Sequence, residues 1–183
     1  MPVFTLVAGP NGSGKSTLTQ WGAFEGRERL LDPDAVARAL NPTDPASAAL
    51  AAGREVLQRI EEYFDGRASF AIETTLSGRN WQDWIGRAKV QGYTVHLIFV
   101  ALDDPERNIY RIGNRVARGG HFIADEIVRR RHARSIGNGL EAIGMVDAAK
   151  FYDNSGDRAR LVLVAKGGEV VWRAKVLPEW VKL

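Results

Sequence analysis

Short apolar runs, bounded by glycine, proline and polar clusters, alternate along this chain with longer stretches of helical period. The runs Val3 to Ala8, Ser69 to Glu73, Thr94 to Leu102, Ala149 to Tyr152 and Leu161 to Ala165 read as strands, with a short one at Arg29 to Leu31. Glu169 to Arg173 follows the last of these across Lys166-Gly167-Gly168, a turn signal that predicts a hairpin. Helices are predicted after the first glycine loop and at Pro33 to Leu40, Ala46 to Phe64, Trp81 to Gln91, Pro105 to Val116 and Ala124 to Ala148. In the stretch from Ala46, residues Leu50, Val56, Leu57, Ile60 and Phe64 supply one apolar face. Asp32-Pro33 and Asp104-Pro105 each pair an N-cap residue with proline at the first helical position. Gly137, Gly139 and Gly144 mark the last helix as one that kinks or breaks. This alternation predicts an α/β fold with a mainly parallel sheet and a C-terminal hairpin.

Length and composition narrow the class. At 183 residues the chain is sized for one domain, expected over residues 1–183. Hydrophobic residues at 45% and charged residues at 26% exclude a disordered or fibrous chain. No run of about 18 apolar residues exists and the start carries no basic segment, so neither a membrane span nor a signal peptide is expected. The absence of cysteine removes disulfides, thiol nucleophiles and thiolate metal sites, and makes a reducing cytoplasm the simplest compartment. Net charge is only +3, but Arg107, Arg111, Arg115, Arg118, Arg129, Arg130, Arg131 and Arg134 crowd one stretch. Such a cluster suits a small polyphosphate in a cleft or nucleic acid. The scarcity of aromatics within it makes nucleic acid the less favoured partner.

The most specific signal is Gly9-Pro10-Asn11-Gly12-Ser13-Gly14-Lys15-Ser16, followed by Thr17, set between an apolar strand and a helix. Spacing and context match the phosphate-binding P-loop. The glycines let successive amide N–H groups turn toward phosphate oxygens at the positive end of a helix. Lys15 is then placed to reach the β and γ phosphates of ATP, and the Ser16 hydroxyl to hold Mg²⁺. A purely structural glycine turn has no need of Lys-Ser at its end. The P-loop alone does not separate kinase, GTPase, transporter ATPase and nucleotide switch.

Three later segments carry candidate chemistry. Leu30-Leu31-Asp32-Pro33-Asp34 puts two acids at a strand end facing the phosphate edge of the sheet. Asp34 there serves equally as a general base or as a charge complementing a helix N-terminus. In Phe70-Ala71-Ile72-Glu73-Thr74-Thr75-Leu76-Ser77-Gly78-Arg79, Glu73 ends an apolar strand, a position that requires solvation, a partner or a ligand. Arg111, Arg115 and Arg118, spaced by four and three, share a helical face ahead of Gly119-Gly120-His121. They read as a phosphate clamp on a hinged lid or as a solvated basic face. His121 is a candidate ligand or base, although a loop histidine is more often a surface residue. Leu76-Ser77-Gly78 superficially matches a transporter signature loop but continues as Arg79-Asn80, and no acidic pair on a strand follows as that mechanism requires. Asp103-Asp104 ends an apolar strand, with Asp104 assigned to capping and Asp103 left as a candidate near magnesium.

Taken together, GPNGSGKST, LDPDAVA, FAIETTLSG, QGYTVHLIFVAL, RVARGGHFIADEIVRRR and YDNSG resemble the zeta toxin family of P-loop kinases, in order and over nearly the whole chain. The resemblance implies a three-layer P-loop NTPase sandwich like that of nucleoside monophosphate kinases. It also implies phosphorylation of the 3′-hydroxyl of UDP-N-acetylglucosamine or a related amino sugar, with ATP as donor. By position it makes Lys15 the phosphate-binding lysine, Asp34 the base and Thr75 a substrate contact. Arg115 and Arg118 fall near the arginines that steady the γ-phosphate, and Glu55 near an acidic sugar contact. Some family members carry arginine two residues after the substrate threonine, where this chain has Ser77. No antitoxin-like segment is found within the chain, so a separate antitoxin protein is the implied partner. A polynucleotide 5′-hydroxyl kinase and a non-catalytic ATP-binding switch are the alternatives.

Overall fold

A computed structural model describes residues 1–117, 119–120 and 122–181. The chain runs β1 (Val3–Ala8), α1 (Lys15–Trp21), β2 (Leu30–Leu31), α2 (Pro33–Leu40), α3 (Ala49–Asp65), β3 (Phe70–Thr74), α4 (Asn80–Val90) and β4 (Thr94–Ala101). It continues through α5 (Pro105–Val116), α6 (Asp125–Glu141), β5 (Ala148–Asp153), β6 (Arg160–Lys166) and β7 (Glu169–Arg173). The seven strands form one sheet in the order β2-β3-β1-β4-β5-β6-β7. The first five are parallel, and β6 and β7 add antiparallel as the expected hairpin.

Sequence explains where the helices begin. Asp32 and Asp104 each accept a hydrogen bond from the backbone N–H two residues on, and proline follows each at the first helical position. Between Pro45 and Ala48 the chain makes tight turns, with Ala48 N–H donating to Pro45 O and Ala49 N–H to Ala46 O, so α3 starts at Ala49 and not at Ala46. α6 ends at Glu141, where a 3₁₀ turn over Ala142–Gly144 breaks the run that the sequence extended to Ala148. Ala148 belongs instead to β5, one residue ahead of the strand start read at Ala149.

One face of the sheet carries Phe4, Leu6, Phe70, Ile72, Leu97 and Phe99, all buried against apolar residues of α3, α4 and α6. Each such side chain contributes about 1.5–3 kcal/mol on burial. Gly139 lets α6 approach closely: a Cβ there would lie 2.6 Å from the Phe99 ring. α1 and residues 22–28 stand on the opposite face, beside a groove of about 1140 Å³ floored by Thr5, His96, Ile98, Lys150 and Tyr152. Helices on both faces of a mainly parallel sheet make the expected three layers. Among the described residues, no helix is long and apolar enough to cross a membrane.

Candidate active site

The glycine loop leaves the carboxyl end of the central strand β1, where an open parallel sheet presents its crevice. Gly9 has φ 142°, and a Cβ on it would lie 1.9 Å from Val100 O, so no other residue fits this passage. The loop's carbonyl oxygens are engaged by donors. Lys15 Nζ donates to Gly9 O at 2.9 Å and Pro10 O at 3.1 Å. The wholly buried Asn108 donates through Nδ2 to Asn11 O at 2.6 Å, and Asn154 through Nδ2 to Ser13 O at 2.8 Å. With its acceptors tied down, the loop offers N–H groups and the start of α1 to an anion, the chemistry of a phosphate cradle.

A buried ammonium and a half-buried carboxylate stand beside the cradle. Glu73 Oε1 is 4.0 Å from Lys15 Nζ and accepts a hydrogen bond from Ser16 Oγ at 2.9 Å. Burial pushes the Lys15 ammonium below its ordinary pKa, opposed by the carboxylates of Glu73, Asp34 and Asp32. Burial likewise raises the Glu73 carboxyl, opposed by Lys15. Each holds the other in its charged form against desolvation. The Ser16 hydroxyl and the Glu73 carboxylate are hard oxygen donors, and no group of three or more His, Cys, Asp or Glu is gathered to hold a metal among the described residues. That sparse donor set fits Mg²⁺ held largely by nucleotide phosphates and water.

On the β3 side of the P-loop a cleft of about 480 Å³ opens, and Lys15, Asp34, Glu73 and Thr75 all line it. Asp34 is exposed at the start of α2, where its N–H is fixed by Asp32 Oδ1 at 2.9 Å. Thr75 Oγ1 and Ser77 Oγ are hydrogen bonded at 2.8 Å. The outer wall comes from α3 and α4, with Leu50, Arg54, Leu57, Asn80 and Trp84. Thr17 and Gly14 lie on the other side, lining the groove on the opposite face of the sheet together with Asn154.

The positively charged residues are distributed differently from the sequence reading. Arg115 is close enough for its charge to oppose protonation of Lys15, but it is not among the residues lining the cleft. Arg118 and His121 lie outside the described residues. Arg111 donates through Nη2 to Asn154 O at 2.9 Å. Arg131, part of the arginine cluster of the sequence, lines the cleft and reaches Asn11 Oδ1 at 3.4 Å. Glu55 pairs with Arg59 one turn along α3 and is not among the residues lining the cleft, whereas its neighbour Arg54 is. A step of one residue on a helix turns a side chain by about 100°, enough to exchange an acid for a base at the cleft wall.

Asn108, Asn154, Arg54 and Trp84 escaped the sequence reading. Asn108 had a usable signal, a polar residue one turn before Ile112 on the buried side of α5. Asn154 sits directly after a strand in Tyr152-Asp153-Asn154-Ser155-Gly156, where loop residues meet the P-loop edge.

The zeta toxin family model matches residues 1–173. The chain belongs to the zeta toxin family of P-loop kinases. The chain is 37% identical, over 127 residues, to an uncharacterized protein of Haemophilus influenzae, a match covering 69% of this chain and 90% of that relative. Its fold is similar to the AvrRxo1-ORF1:-ORF2 complex with ATP, with TM-score 0.71 and 15% identity over 93% of this chain and 60% of that one. It is also similar to a structure from the PezAT chromosomal toxin-antitoxin system of Streptococcus pneumoniae, with TM-score 0.64 and 19% identity over 90% of this chain and 71% of that one. These likenesses establish the zeta toxin fold. The chain spans about 60% of the length of the AvrRxo1 chain it matches.

Proposed function

We propose that this chain is an ATP-dependent kinase that transfers the γ-phosphoryl group to a hydroxyl of a sugar or nucleotide-sugar, with UDP-N-acetylglucosamine as the leading acceptor. The observation that carries the reading is the opening of one cleft directly onto Lys15, with Asp34, Glu73 and Thr75 on its walls. A phosphotransferase needs a cationic hold on the transferring group, a carboxylate at the acceptor hydroxyl and a site adjoining the donor.

Lys15 and the P-loop amides hold the β and γ phosphates of ATP in this reading. The Asp34 carboxylate accepts the proton of the acceptor hydroxyl as its oxygen bonds to the γ-phosphorus and the bridging P–O bond of ATP breaks, releasing ADP. Ser16, oriented by Glu73, is the protein group for Mg²⁺, which supplies charge neutralisation at the phosphates when bound. Arg131, between the cleft and Asn11, and Arg115, near Lys15, are the described arginines able to meet charge developing on the transferred group. Arg54 suits an acidic part of the acceptor, and the faces of Leu50, Leu57 and Trp84 suit a sugar or base ring. An antitoxin partner is proposed on the same footing, supported by the family and by the toxin-antitoxin system to which the PezAT neighbour belongs.

The test is mass spectrometry after incubation with ATP, Mg²⁺ and either UDP-N-acetylglucosamine or RNA with a free 5′-hydroxyl. Gain of one phosphate by the nucleotide-sugar, lost in Asp34→Asn while ATP binding is retained, supports the reading. Undiminished transfer by that variant removes Asp34 as base. Transfer to RNA ends alone identifies a polynucleotide kinase, and no transfer to any acceptor points to a nucleotide switch.

A further inference from the structure

The loop that carries Thr75 holds an unusual conformation. Leu76 has φ 55°, in the left-handed region that a leucine enters only under constraint, yet its side chain is 1% exposed and packed in the main core. Its backbone N–H donates to Thr74 Oγ1 at 3.1 Å. Its carbonyl accepts from Asn138 Nδ2 at 2.6 Å, and the same nitrogen lies 3.3 Å from Gly78 O. Both partners are carbonyls, so the amide nitrogen of Asn138 must be the end that faces them. One side chain from α6 therefore ties both sides of the turn over residues 76–78.

Asn138 stands seven residues after Arg131, two turns along α6 and on the same flank. Arg131 meets the P-loop at Asn11. Between them His132 Nε2 donates to Leu102 O at 3.0 Å, fixing the helix to the chain just beyond β4. Gly139 seats it against Phe99. α6 thus touches the donor loop at one point and the acceptor loop at another, about 10 Å further along its axis.

We infer that Asn138 is a positioning residue for the acceptor side, holding the Leu76 turn so that Thr75 keeps a fixed offset from the P-loop, with α6 as the strut that sets this offset. The inference rests on the proposed function for its kinetic consequence, but not for its structural one. Without the amide the turn relaxes from its left-handed conformation, Thr75 moves, and the acceptor is misaligned while the ATP cradle is untouched.

The test compares wild type with Asn138→Asp, which keeps the shape and removes the donor, and with Asn138→Gln, whose longer amide restores part of the clamp. Hydrogen–deuterium exchange of residues 74–80 and of the P-loop is measured for all three, together with steady-state kinetics using ATP and UDP-N-acetylglucosamine. The expected result for Asn138→Asp is exchange in 74–80 faster by about tenfold, with the P-loop unchanged. Its acceptor kcat/KM falls by about tenfold or more while the ATP Kd stays within about twofold, and Asn138→Gln is intermediate on each measure. Wild-type exchange and acceptor kinetics in Asn138→Asp overturn the inference, as does an equal loss on donor and acceptor sides that Asn138→Gln does not relieve. If the wild type transfers no phosphate to this acceptor, the proposed function fails, and the exchange comparison alone decides the role of Asn138.

Discussion

The two halves of the cleft are built in different ways. The donor half is one continuous loop and the first turn of one helix, its shape set by backbone conformation and by carbonyls bound to Lys15, Asn108 and Asn154. The half proposed for the acceptor gathers α2, α3, the end of β3, α4 and α6, and its shape depends on how those elements pack. A contiguous loop takes much of its geometry from its own glycines and backbone turns. A wall made from four helices changes when any one helix turns, so substitutions on the two sides should fail differently.

The sharpest break in that comparison comes from Lys15→Met. It removes the cation from the cradle and leaves the Glu73 carboxylate without its ion-pair partner, and phosphoryl transfer should fall by about a thousandfold. Turnover assayed with saturating acceptor measures this, and transfer within a few-fold of wild type would show that Lys15 does not meet the phosphates. A smaller effect separates two neighbours on α3. Arg54→Ala should raise the acceptor KM by about tenfold through loss of a charged contact. Glu55→Ala should leave that KM within about twofold, because it loses only a partly exposed pair with Arg59. The reverse order would restore Glu55 as the acceptor contact.

The smallest effect concerns the loop that brings Asn154 to the P-loop. Burial acts to raise the Asp153 carboxyl, but hydrogen bonds from Ser155 and Arg160 outweigh it and hold the group below the usual carboxylate range. A depressed folded pKa contributes stability above the unfolded pKa and loses it as pH falls through the folded value. Asp153→Asn should therefore be less stable than wild type near neutrality, with the gap closing below about pH 4. Denaturant melts at a series of pH values test this; a gap independent of pH would assign the loss to packing alone.

How much of the molecule was legible from sequence follows the same division. The strands, the hairpin and the helix starts at Asp32-Pro33 and Asp104-Pro105 rest on short-range rules, and the structure holds them within a few residues. The P-loop was complete in one contiguous stretch. Asp34, Glu73 and Thr75 lie at strand ends and helix starts on the P-loop edge, so topology alone brings them to one cleft. Which of Arg54, Glu55 and Arg131 faces the cleft was not legible, because the rotation of a helix about its axis decides it and neither composition nor spacing fixes that rotation. Asn138 and Asn154 act on backbone carbonyls of loops 62 and 141 residues away in sequence, and a lone asparagine carries no mark of such a bond.

Gly139 has a consequence for how this chain could change its acceptor. Because α6 sits one missing Cβ away from Phe99, its axis has no slack: any side chain there pushes the helix off the sheet and moves both of its loop contacts together. If the cleft holds the acceptor as proposed, variation that redirects it is thereby channelled into α3 and α4: Leu50, Arg54 and Leu57 are exposed there, and Trp84, packed partly against the core, is the costlier of the four to exchange. The route to new specificity is a set of independent wall substitutions, and a library confined to those four positions would sample it.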